Sequence, residues 1–549
     1  MKKNPFEVVY RKEIAPLSEG KYPGFGHKVE FDGDMRIERD VAVAMRDGTK
    51  IYVDILRPEG QTNVPVIVTY SPYGKHAHKN ASMFPGADIP PGAASKYAVW
   101  EGPDPIYWTG HGYAVINADT RGSWRSEGDL TIWSLQEAED GYDLIEWAAS
   151  QPWCSGKVGT CGVSYLAIVQ WGIAALNPPH LAAINPWEGW SDPYRERFYH
   201  GGMPETKFVL FGQWSTSFTL TRSEDMVQSA AKHPLLDEFW QSKTADLSKI
   251  TAPAYVVADW GDQGLHTRGT LEGFKQCSSK YKWLEVHGRK KWPYFYRSES
   301  VERLRTFFDH FLKGGSDEVL LWPKVQIEIR DRYFEGKVRT ENEWPLARTN
   351  YVPYYLDAGS GTLRLDPPSA TFEARYDALD VNQRAQFDFT FDRPTEFTGH
   401  FKLKLWIQAD GADDADLFVA LQKFDRSGEY VRFPFFSKFD NGPVALGWLR
   451  ASHRELDPKQ SKPEQPWHPH TRELMLKKGE IVPVEIEIWP SSTLFHDGEK
   501  LRLIVQGTDV YTYPNIRQAP LHERTRNKGQ HVIYTGGQYD SHLLAPVIP

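Results

Sequence analysis

The stretch that decides the fold is Lys157-Val158-Gly159-Thr160-Cys161-Gly162-Val163-Ser164-Tyr165-Leu166-Ala167. It opens with an apolar run typical of a buried strand and continues as a helical run to Leu176, which Asn177-Pro178-Pro179 stops. A strand that turns sharply into a helix at Gly-x-Ser exposes the serine hydroxyl, and small neighbouring residues permit close approach. The stretch therefore predicts Ser164 as a nucleophile, although Leu166 stands where the full Gly-x-Ser-x-Gly motif has its last glycine.

The sequence around this stretch alternates short apolar runs with amphipathic segments, from about Ile37 to Glu299. Such alternation is typical of a parallel sheet with crossover helices. The predicted buried strands are Val64 to Tyr70, Tyr113 to Asp119, Val158 to Gly162, Leu181 to Pro186, Ala254 to Asp259 and Trp283 to His287. Together with the serine turn, this pattern predicts an α/β-hydrolase core.

A serine hydroxyl is a weak nucleophile at neutral pH, so it needs a histidine base that a carboxylate holds in the right tautomer. In an α/β-hydrolase the acid follows the serine along the chain, and the histidine follows the acid. Asp262 lies in the loop beyond the predicted strand Ala254 to Asp259, and His287 ends the next predicted strand. We expect Asp262 and His287 to complete a triad with Ser164. Asp259 and His266, in the same segment as Asp262, are competing candidates.

Two groups are candidates for stabilising the oxyanion of a tetrahedral intermediate. The N–H of Tyr165 lies at the N-terminus of the predicted helix, where backbone donors and the helix dipole favour negative charge. Tyr73 follows the predicted strand Val64 to Tyr70, and its hydroxyl is placed to donate to the same oxygen. The alternative for Tyr73 is a ring that only packs against neighbouring residues.

The chain is long enough for several packed units. Residues 1–186 and 251–350 are predicted to form the two parts of the hydrolase domain. Residues 187–250 are rich in aromatic and charged residues and are expected to form a helical cap over the active site. From 351 to 549 the pattern changes to strands with period-two alternation, which predicts a C-terminal β-sandwich of the jelly-roll type.

Composition excludes several classes of partner. The net charge of −8 is spread along the chain, and the longest basic cluster, Arg289-Lys290-Lys291, is too short for a nucleic-acid site. No long apolar run or N-terminal export segment is present, so we expect no membrane span.

Three cysteines without a paired motif favour reduced thiols and a cytoplasmic location. No metal motif occurs, and triad chemistry needs no cofactor. A homo-oligomer is compatible with the sequence.

Several separated motifs resemble those of the CocE/NonD acyl esterases, the group of cocaine esterase, α-amino-acid ester hydrolases and X-prolyl dipeptidyl peptidases. The resemblance spans nearly the whole chain. It is carried by these segments: Pro72-Tyr73-Gly74-Lys75, Asp119-Thr120-Arg121-Gly122-Ser123, Ser126-Glu127-Gly128, Gly162-Val163-Ser164-Tyr165, Asp259-Trp260-Gly261-Asp262, Arg450-Ala451-Ser452-His453-Arg454 and Phe495-His496-Asp497-Gly498.

The resemblance implies a hydrolase core, a helical cap and a C-terminal jelly roll. It also implies Ser164, Asp262 and His287 as the triad, with the Tyr73 hydroxyl and the Tyr165 N–H as the oxyanion hole. The chain departs from the family where Leu284-Glu285-Val286 replaces a frequent Gly-Pro-Trp before the histidine.

Relatives that accept a free α-amino group carry carboxylates two and three residues after the triad acid, where this chain has Gly264 and Leu265. The expected substrate is therefore a neutral acyl ester with an apolar or aromatic part, although Glu188, Asp192 or Glu196 would be able to replace those carboxylates. An X-prolyl dipeptidyl peptidase or amidase with the same triad is the alternative. An inactive hydrolase scaffold with a ligand- or glycan-binding β-sandwich is the alternative of another class.

Overall fold

The computed structural model describes residues 8–12, 26–76, 86–216, 218–512 and 521–549. The N-terminal residues 1–7, where the sequence predicts no export segment, lie outside the described residues. Among the described residues, no helix has both the length and the apolar character needed to cross a membrane.

A mixed sheet forms the centre of the first part of the chain. Its strands, in chain order, are Lys28–Asp32 (β1), Met35–Ala44 (β2), Lys50–Pro58 (β3), Val64–Ser71 (β4), Ala114–Asp119 (β5), Cys154–Val163 (β6), Leu181–Trp187 (β7), Ala254–Asp259 (β8), Lys282–His287 (β9), Val325–Arg332 (β10) and Glu335–Glu341 (β11). Their spatial order is β1-β2-β3-β5-β4-β6-β7-β8-β9-β10-β11. The six predicted strands, β4 to β9, are parallel, as the alternating pattern predicts. Beyond the predicted strands, β10 adds a further parallel strand next to β9.

The helices are Pro105–Gly110 (α1), Leu135–Ala149 (α2), Tyr165–Ala175 (α3), Phe208–Ser215 (α4), Met226–Lys232 (α5), Glu238–Gln241 (α6), Thr267–Gln276 (α7), Lys291–Tyr296 (α8) and Ser298–Lys313 (α9). Successive residues of a strand face opposite sides of the sheet, so each central strand contributes to two cores. In β4, Val66 and Val68 share one core with residues of α2 and α3, whereas Ile67 joins Phe307 and Phe308 of α9 in the other. The parallel strands are thus apolar on both faces, as buried strands must be.

The segment between β7 and β8 carries the helices α4 to α6, within residues 188–253. The segment also contains the short antiparallel pair of Tyr199–His200 with Met203–Pro204, and its strand Arg222–Glu224 pairs with the N-terminal strand Tyr10–Lys12. Strand β7 lies next to the serine strand β6 and runs parallel to it. The segment that follows β7 therefore starts at the same edge of the sheet as Ser164.

The C-terminal part is a β-sandwich. Its strands are Asn350–Asp357 (β12), Thr362–Arg364 (β13), Phe372–Asp377 (β14), Ala385–Thr390 (β15), Thr395–Asp410 (β16), Asp416–Phe424 (β17), Tyr430–Val431 (β18), Phe433–Phe435 (β19), Phe439–Gly442 (β20), Ala445–Arg450 (β21), Val482–Phe495 (β22), Lys500–Gln506 (β23), Gln530–Thr535 (β24) and His542–Ile548 (β25). The long strand β16 pairs with β22, β24 and β25, while β23 lies between β15 and β17. Alternate residues of these strands, such as Leu403 and Leu405, fill the core.

Candidate active site

Ser164 stands on the turn between β6 and α3, with φ of 58° and ψ of −114°. A non-glycine residue in this region is strained, and such strain concentrates at functional sites. The Ser164 N–H donates to the carbonyl of Trp187 at 3.0 Å, which ties the turn to the end of β7. Gly162 enters the turn with φ of 146°, and a Cβ there would lie 2.5 Å from the Cβ of Leu166. The local sequence therefore permits the sharp turn because a side chain is missing at Gly162.

The histidine beside Ser164 is His266. Its Nε2 lies 3.2 Å from Ser164 Oγ, and its Nδ1 is hydrogen-bonded to Oδ2 of Asp262. Asp262 and His266 are four residues apart in the segment that leads from β8 into α7, so their side chains meet on one side of the turn. The Trp190 ring is parallel to the imidazole, with 5.3 Å between ring centroids. Ser164, His266 and Asp262 thus form the hydrogen-bonded chain that a triad requires.

The prediction that His287 contacts Ser164 is wrong. The Nε2 of His287 lies 3.0 Å from Oε1 of Glu188, and its ring is stacked on Tyr294 with 3.8 Å between centroids. His287 is still a strand residue, since it pairs with Asp259 of β8. Asp262 lies three residues beyond Asp259, in the loop above the sheet. From that position its carboxylate reaches His266 and not His287.

The side chain of Asp259, the competing acid, accepts a hydrogen bond from the backbone of its own loop. Its Oδ1 accepts from the N–H of Gly261 at 2.7 Å, and its pKa is raised by burial and by the nearby charges of Glu188 and Asp262. Asp262, by contrast, is the carboxylate that contacts the imidazole. In the structure Ser164 and Asp262 are therefore linked through His266.

The pKa values of Asp262 and His266 are set mainly by burial, by their mutual contact and by the neighbouring cation Lys291. Burial would raise the pKa of Asp262, but the charges of Lys291 and His266 outweigh it and hold that pKa below its usual range. Burial and the Lys291 charge lower the pKa of His266 to about 4, against the opposing effect of Asp262. The imidazole is therefore neutral near pH 7 and able to accept a proton.

Both predicted oxyanion groups lie at the turn. The Tyr73 hydroxyl is hydrogen-bonded to the Ser164 side chain, and burial raises the Tyr73 pKa well above its ordinary value, so the hydroxyl keeps its proton. Tyr165 is the first residue of α3, where backbone N–H groups have no partner within the helix. The rings of Tyr73 and Tyr165 are in edge contact, with 5.7 Å between their centroids. The Tyr165 hydroxyl donates to Glu137 Oε1 at 2.6 Å. The Tyr73 hydroxyl and the Tyr165 N–H thus both adjoin Ser164.

A cavity of about 750 Å³ opens beside Ser164 and is lined by three parts of the chain. The hydrolase part contributes rings such as Trp133 and Trp292, and the segment before β8 contributes Phe198, Phe208 and Phe211. The C-terminal domain contributes residues from the turn between β19 and β20, namely Phe436, Ser437 and Lys438. The walls are mainly apolar and include many aromatic rings, so the cavity suits an apolar group next to the reacting carbonyl.

The three carboxylates that were candidates for binding an α-ammonium group have other partners. Glu188 accepts from Trp187 Nε1 at 3.1 Å and lies 3.0 Å from His287 Nε2. Asp192 pairs with Arg195, and Glu196 pairs with Arg268 at 2.6 Å. None of the three is among the described residues that line the cavity.

Two groups of potential metal ligands lie outside this cavity. Within the described ranges they are Asp40 with Asp54 and His76, and Asp331 with His496 and Glu499. Each group already contacts a lysine: Lys75 Nζ is 2.6 Å from Asp40 Oδ1, and Lys423 Nζ is 2.9 Å from Asp331 Oδ1. Within each group an ammonium ion thus already neutralises one of the carboxylates.

Comparison with known proteins agrees with this architecture. Residues 47–289 match the family model of the X-Pro dipeptidyl-peptidase of the S15 family, and residues 322–544 match the X-Pro dipeptidyl-peptidase C-terminal non-catalytic domain. The cocaine esterase of Rhodococcus sp. is 25% identical over 94% of this chain and 99% of its own length.

Solved structures extend the comparison. An α-amino acid ester hydrolase superimposes with a TM-score of 0.71 at 18% identity, covering 94% of this chain and 97% of its own, and so shows a shared fold. The CocE/NonD family hydrolase of Staphylococcus aureus is 43% identical, with a TM-score of 0.91 over 95% of this chain and 96% of its own. The chain is therefore a serine hydrolase and belongs to the CocE/NonD family, within the S15 group of esterases and peptidases.

Proposed function

We propose that this protein hydrolyses a carboxylic ester through an acyl-enzyme, with Ser164 as the nucleophile, His266 as the base and Asp262 as the residue that orients it. The observation that carries the proposal is the chain of contacts from Ser164 Oγ through the two nitrogens of His266 to the Asp262 carboxylate. The serine thus has a base within hydrogen-bonding distance, and the base has a carboxylate that orients it.

In the first step Ser164 Oγ attacks the ester carbonyl while its proton passes to His266 Nε2. The Nδ1–H of the resulting imidazolium donates to Asp262, which stabilises the positive charge. The Tyr73 hydroxyl and the Tyr165 N–H donate to the oxyanion. His266 then gives its proton to the leaving alcohol, and the acyl-serine forms. A water molecule then attacks the acyl carbonyl while one of its protons passes to the same nitrogen. The bond to Ser164 Oγ breaks, His266 returns the proton to Oγ, and the carboxylic acid is released.

The lining of the cavity supports a neutral acyl ester with an apolar or aromatic part as substrate. Apart from Lys291, the charged lining residues are Glu101, Arg197 and Lys438. Burial raises the pKa of Glu101 to about 8, and Arg197 is paired with Glu205 at 2.7 Å. An uncharged Glu101 offers little to the ammonium group that an aminoacyl or dipeptidyl substrate would bring.

Mass spectrometry of the adduct with a fluorophosphonate tests the proposal, because the probe reacts with an activated serine whatever the natural substrate. We expect one phosphonyl group on Ser164 in the wild type and none in Ser164→Ala, with unchanged circular dichroism. An unlabelled wild-type protein would instead support the inactive scaffold with a ligand-binding sandwich. Adduct formation on another residue would contradict the assignment of the nucleophile.

The family model keeps an X-prolyl peptidase as the second candidate. Hydrolysis of p-nitrophenyl butyrate and p-nitrophenyl phenylacetate should be compared with hydrolysis of an Ala-Pro anilide at equal enzyme concentration. We expect turnover of the esters to exceed that of the anilide. Preferred cleavage of the anilide would assign the triad to peptide hydrolysis.

We also propose that the protein works in the reducing environment of the cytoplasm. Cys154, Cys161 and Cys277 are free thiols, and two of them are buried in the hydrophobic cores. Fractionation of the producing cells should find the esterase activity with cytoplasmic markers.

A further inference from the structure

Lys291, the first residue of α8, lies beside the Asp262–His266 pair. Its Nζ is 2.8 Å from Asp262 Oδ2 and 2.9 Å from His266 Nδ1. The side chain is 2% exposed, and Lys291 lines the same cavity as Ser164. A buried ammonium group this close to an imidazole is unusual, because burial of a charge costs free energy unless the charge is paired.

The partners of Lys291 account for its burial. Asp262 accepts from it, and Oε2 of Glu188 lies 3.7 Å away. Burial lowers the pKa of Lys291, but the attraction of its carboxylate neighbours, Asp262 first among them, outweighs burial and raises that pKa. Lys291 is therefore a cation at the pH at which the reaction runs. A cation has no lone pair to accept a proton, so Lys291 is not itself the base for Ser164.

We infer that Lys291 is a positioning residue of the reaction, whose ammonium group holds the Asp262 carboxylate against His266 and acts as a like charge on the imidazole. The inference rests on the proposed function, since it assumes that His266 is the base. Asp262 Oδ2 is the shared acceptor of His266 Nδ1 and Lys291 Nζ, while Ser437 Oγ donates to Oδ1 at 2.9 Å. The carboxylate is thus fixed by donors at both oxygens.

The like charge sets the pH range in which the base works. His266 is faced by Ser164 from the serine turn, Asp262 from its own loop, Lys291 from α8 and the more distant charge of Arg197 from the segment before β8. Two of these groups are cations, which lower the pKa of His266, and one is an anion, which raises it. Burial lowers that pKa as well. An imidazole beside an ammonium group binds its proton more weakly, so Lys291 extends activity towards acidic pH.

The rate of Ser164 labelling by a fluorophosphonate, measured from pH 4 to pH 8, tests this role without a known substrate. In the wild type the rate should fall only near pH 4, where His266 becomes protonated. Lys291→Met removes the charge and keeps the length of the chain. We expect it to move the acidic limb upward by about one pH unit or more. We also expect it to lower the rate at pH 7 by about tenfold or more, because the carboxylate loses one of its donors.

Two further variants separate the charge from the hydrogen bond. Lys291→Gln keeps a donor without a charge, so its acidic limb should move as in Lys291→Met while its rate at pH 7 falls less. Lys291→Arg keeps the charge, so its limb should stay within about half a pH unit of the wild type even where its rate is lower. If Lys291→Met does not fold, as circular dichroism would reveal, the comparison of Gln with Arg makes the same test.

Lys290 supplies a matched control. It is the preceding lysine, its side chain is only 3% exposed, and it pairs with Asp88 and Asp440 instead of the triad residues. Lys290→Met should leave the acidic limb in place. An equal shift in Lys290→Met, or an unmoved limb in the Lys291→Met and Lys291→Gln variants, would overturn the inference. A wild type that is not labelled at Ser164 would overturn the proposed function instead, so the two failures are distinguishable.

Discussion

At the scale of single residues, two buried histidines are candidates for the base, and replacement of each by glutamine compares them. His266→Gln removes the group that contacts Ser164, so we expect ester turnover and Ser164 labelling to fall by about 10³-fold or more. His287→Gln keeps a donor for Glu188, so activity should stay within about tenfold of the wild type. Initial rates on p-nitrophenyl butyrate give the comparison. The reverse ranking would restore His287 as the base.

The Tyr73 hydroxyl offers a second test at this scale, because a phenylalanine keeps the ring and removes only the donor. A donor to the oxyanion acts mainly in the transition state, so Tyr73→Phe should lower kcat by about 10²–10³-fold with KM and Tm little changed. Tyr199→Phe is the control, since that buried hydroxyl donates to the carbonyl of Ala230. A Tyr73→Phe variant with full kcat and a lower Tm would mean that Tyr73 only packs.

At the scale of secondary-structure elements, the turn from β6 into α3 depends on Gly162. An alanine there would place a Cβ 2.5 Å from the Cβ of Leu166 in a backbone conformation that favours glycine. We expect Gly162→Ala to lower the free energy of unfolding by about 2–3 kcal/mol and to slow Ser164 labelling, because the clash moves the serine turn.

Gly156 in the same strand is the control for Gly162. It also has a positive φ, of 77°, but a Cβ there would lie 3.9 Å from its nearest neighbour, His180. Gly156→Ala should therefore cost only the backbone strain of about 1 kcal/mol and leave labelling unchanged. Equal denaturant midpoints and labelling rates for the two variants would refute the clash at Gly162.

At the scale of the whole molecule, the C-terminal domain completes the site. Phe436 and Ser437, with φ of 50° and 65°, are the central residues of the turn from β19 to β20, in which the Lys438 N–H donates to the carbonyl of Phe435. Positive φ at both central residues is typical of tight turns between short antiparallel strands. The backbone N–H of Phe436 donates to the carbonyl of Gly261, and Ser437 Oγ donates to Asp262. The sandwich thus supports the acid of the proposed triad.

Removal of this contact should affect catalysis more than stability. Ser437→Ala leaves Oδ1 of Asp262 without the Ser437 donor, and we expect kcat to fall by about tenfold, in line with the 1.5–3 kcal/mol of a hydrogen bond to a charged group. Ser452→Ala is the control within the same domain, because Ser452 Oγ donates to Asp414 at 2.7 Å and does not line the cavity. The Ser452 variant should have a lower Tm and an unchanged kcat. Unchanged kcat in the Ser437 variant would limit that domain to a structural role.

The local pattern was sufficient for the elements that carry the site. The predicted strand Ala254 to Asp259 is β8, and the predicted helical run after Ser164 is α3. It was also sufficient to place Asp262 beyond a strand end. One local signal for His266 was present, since Asp262 and His266 are four residues apart at a helix start, a spacing that brings side chains together. His287, at the end of the next predicted strand, is the competing signal, and the sequence pattern alone favours it.

The sequence by itself determined the fold class and the place of the serine turn, because strand and helix periodicity, small residues and turn signals act over a few neighbouring positions. The tertiary structure decided which histidine meets the serine, that Lys291 joins the acid and that a turn of the C-terminal domain reaches Asp262. These are contacts between residues far apart in the chain, or choices between two nearby side chains. They depend on how far each side chain stands above the sheet and on how the three parts of the chain pack, neither of which local patterns encode.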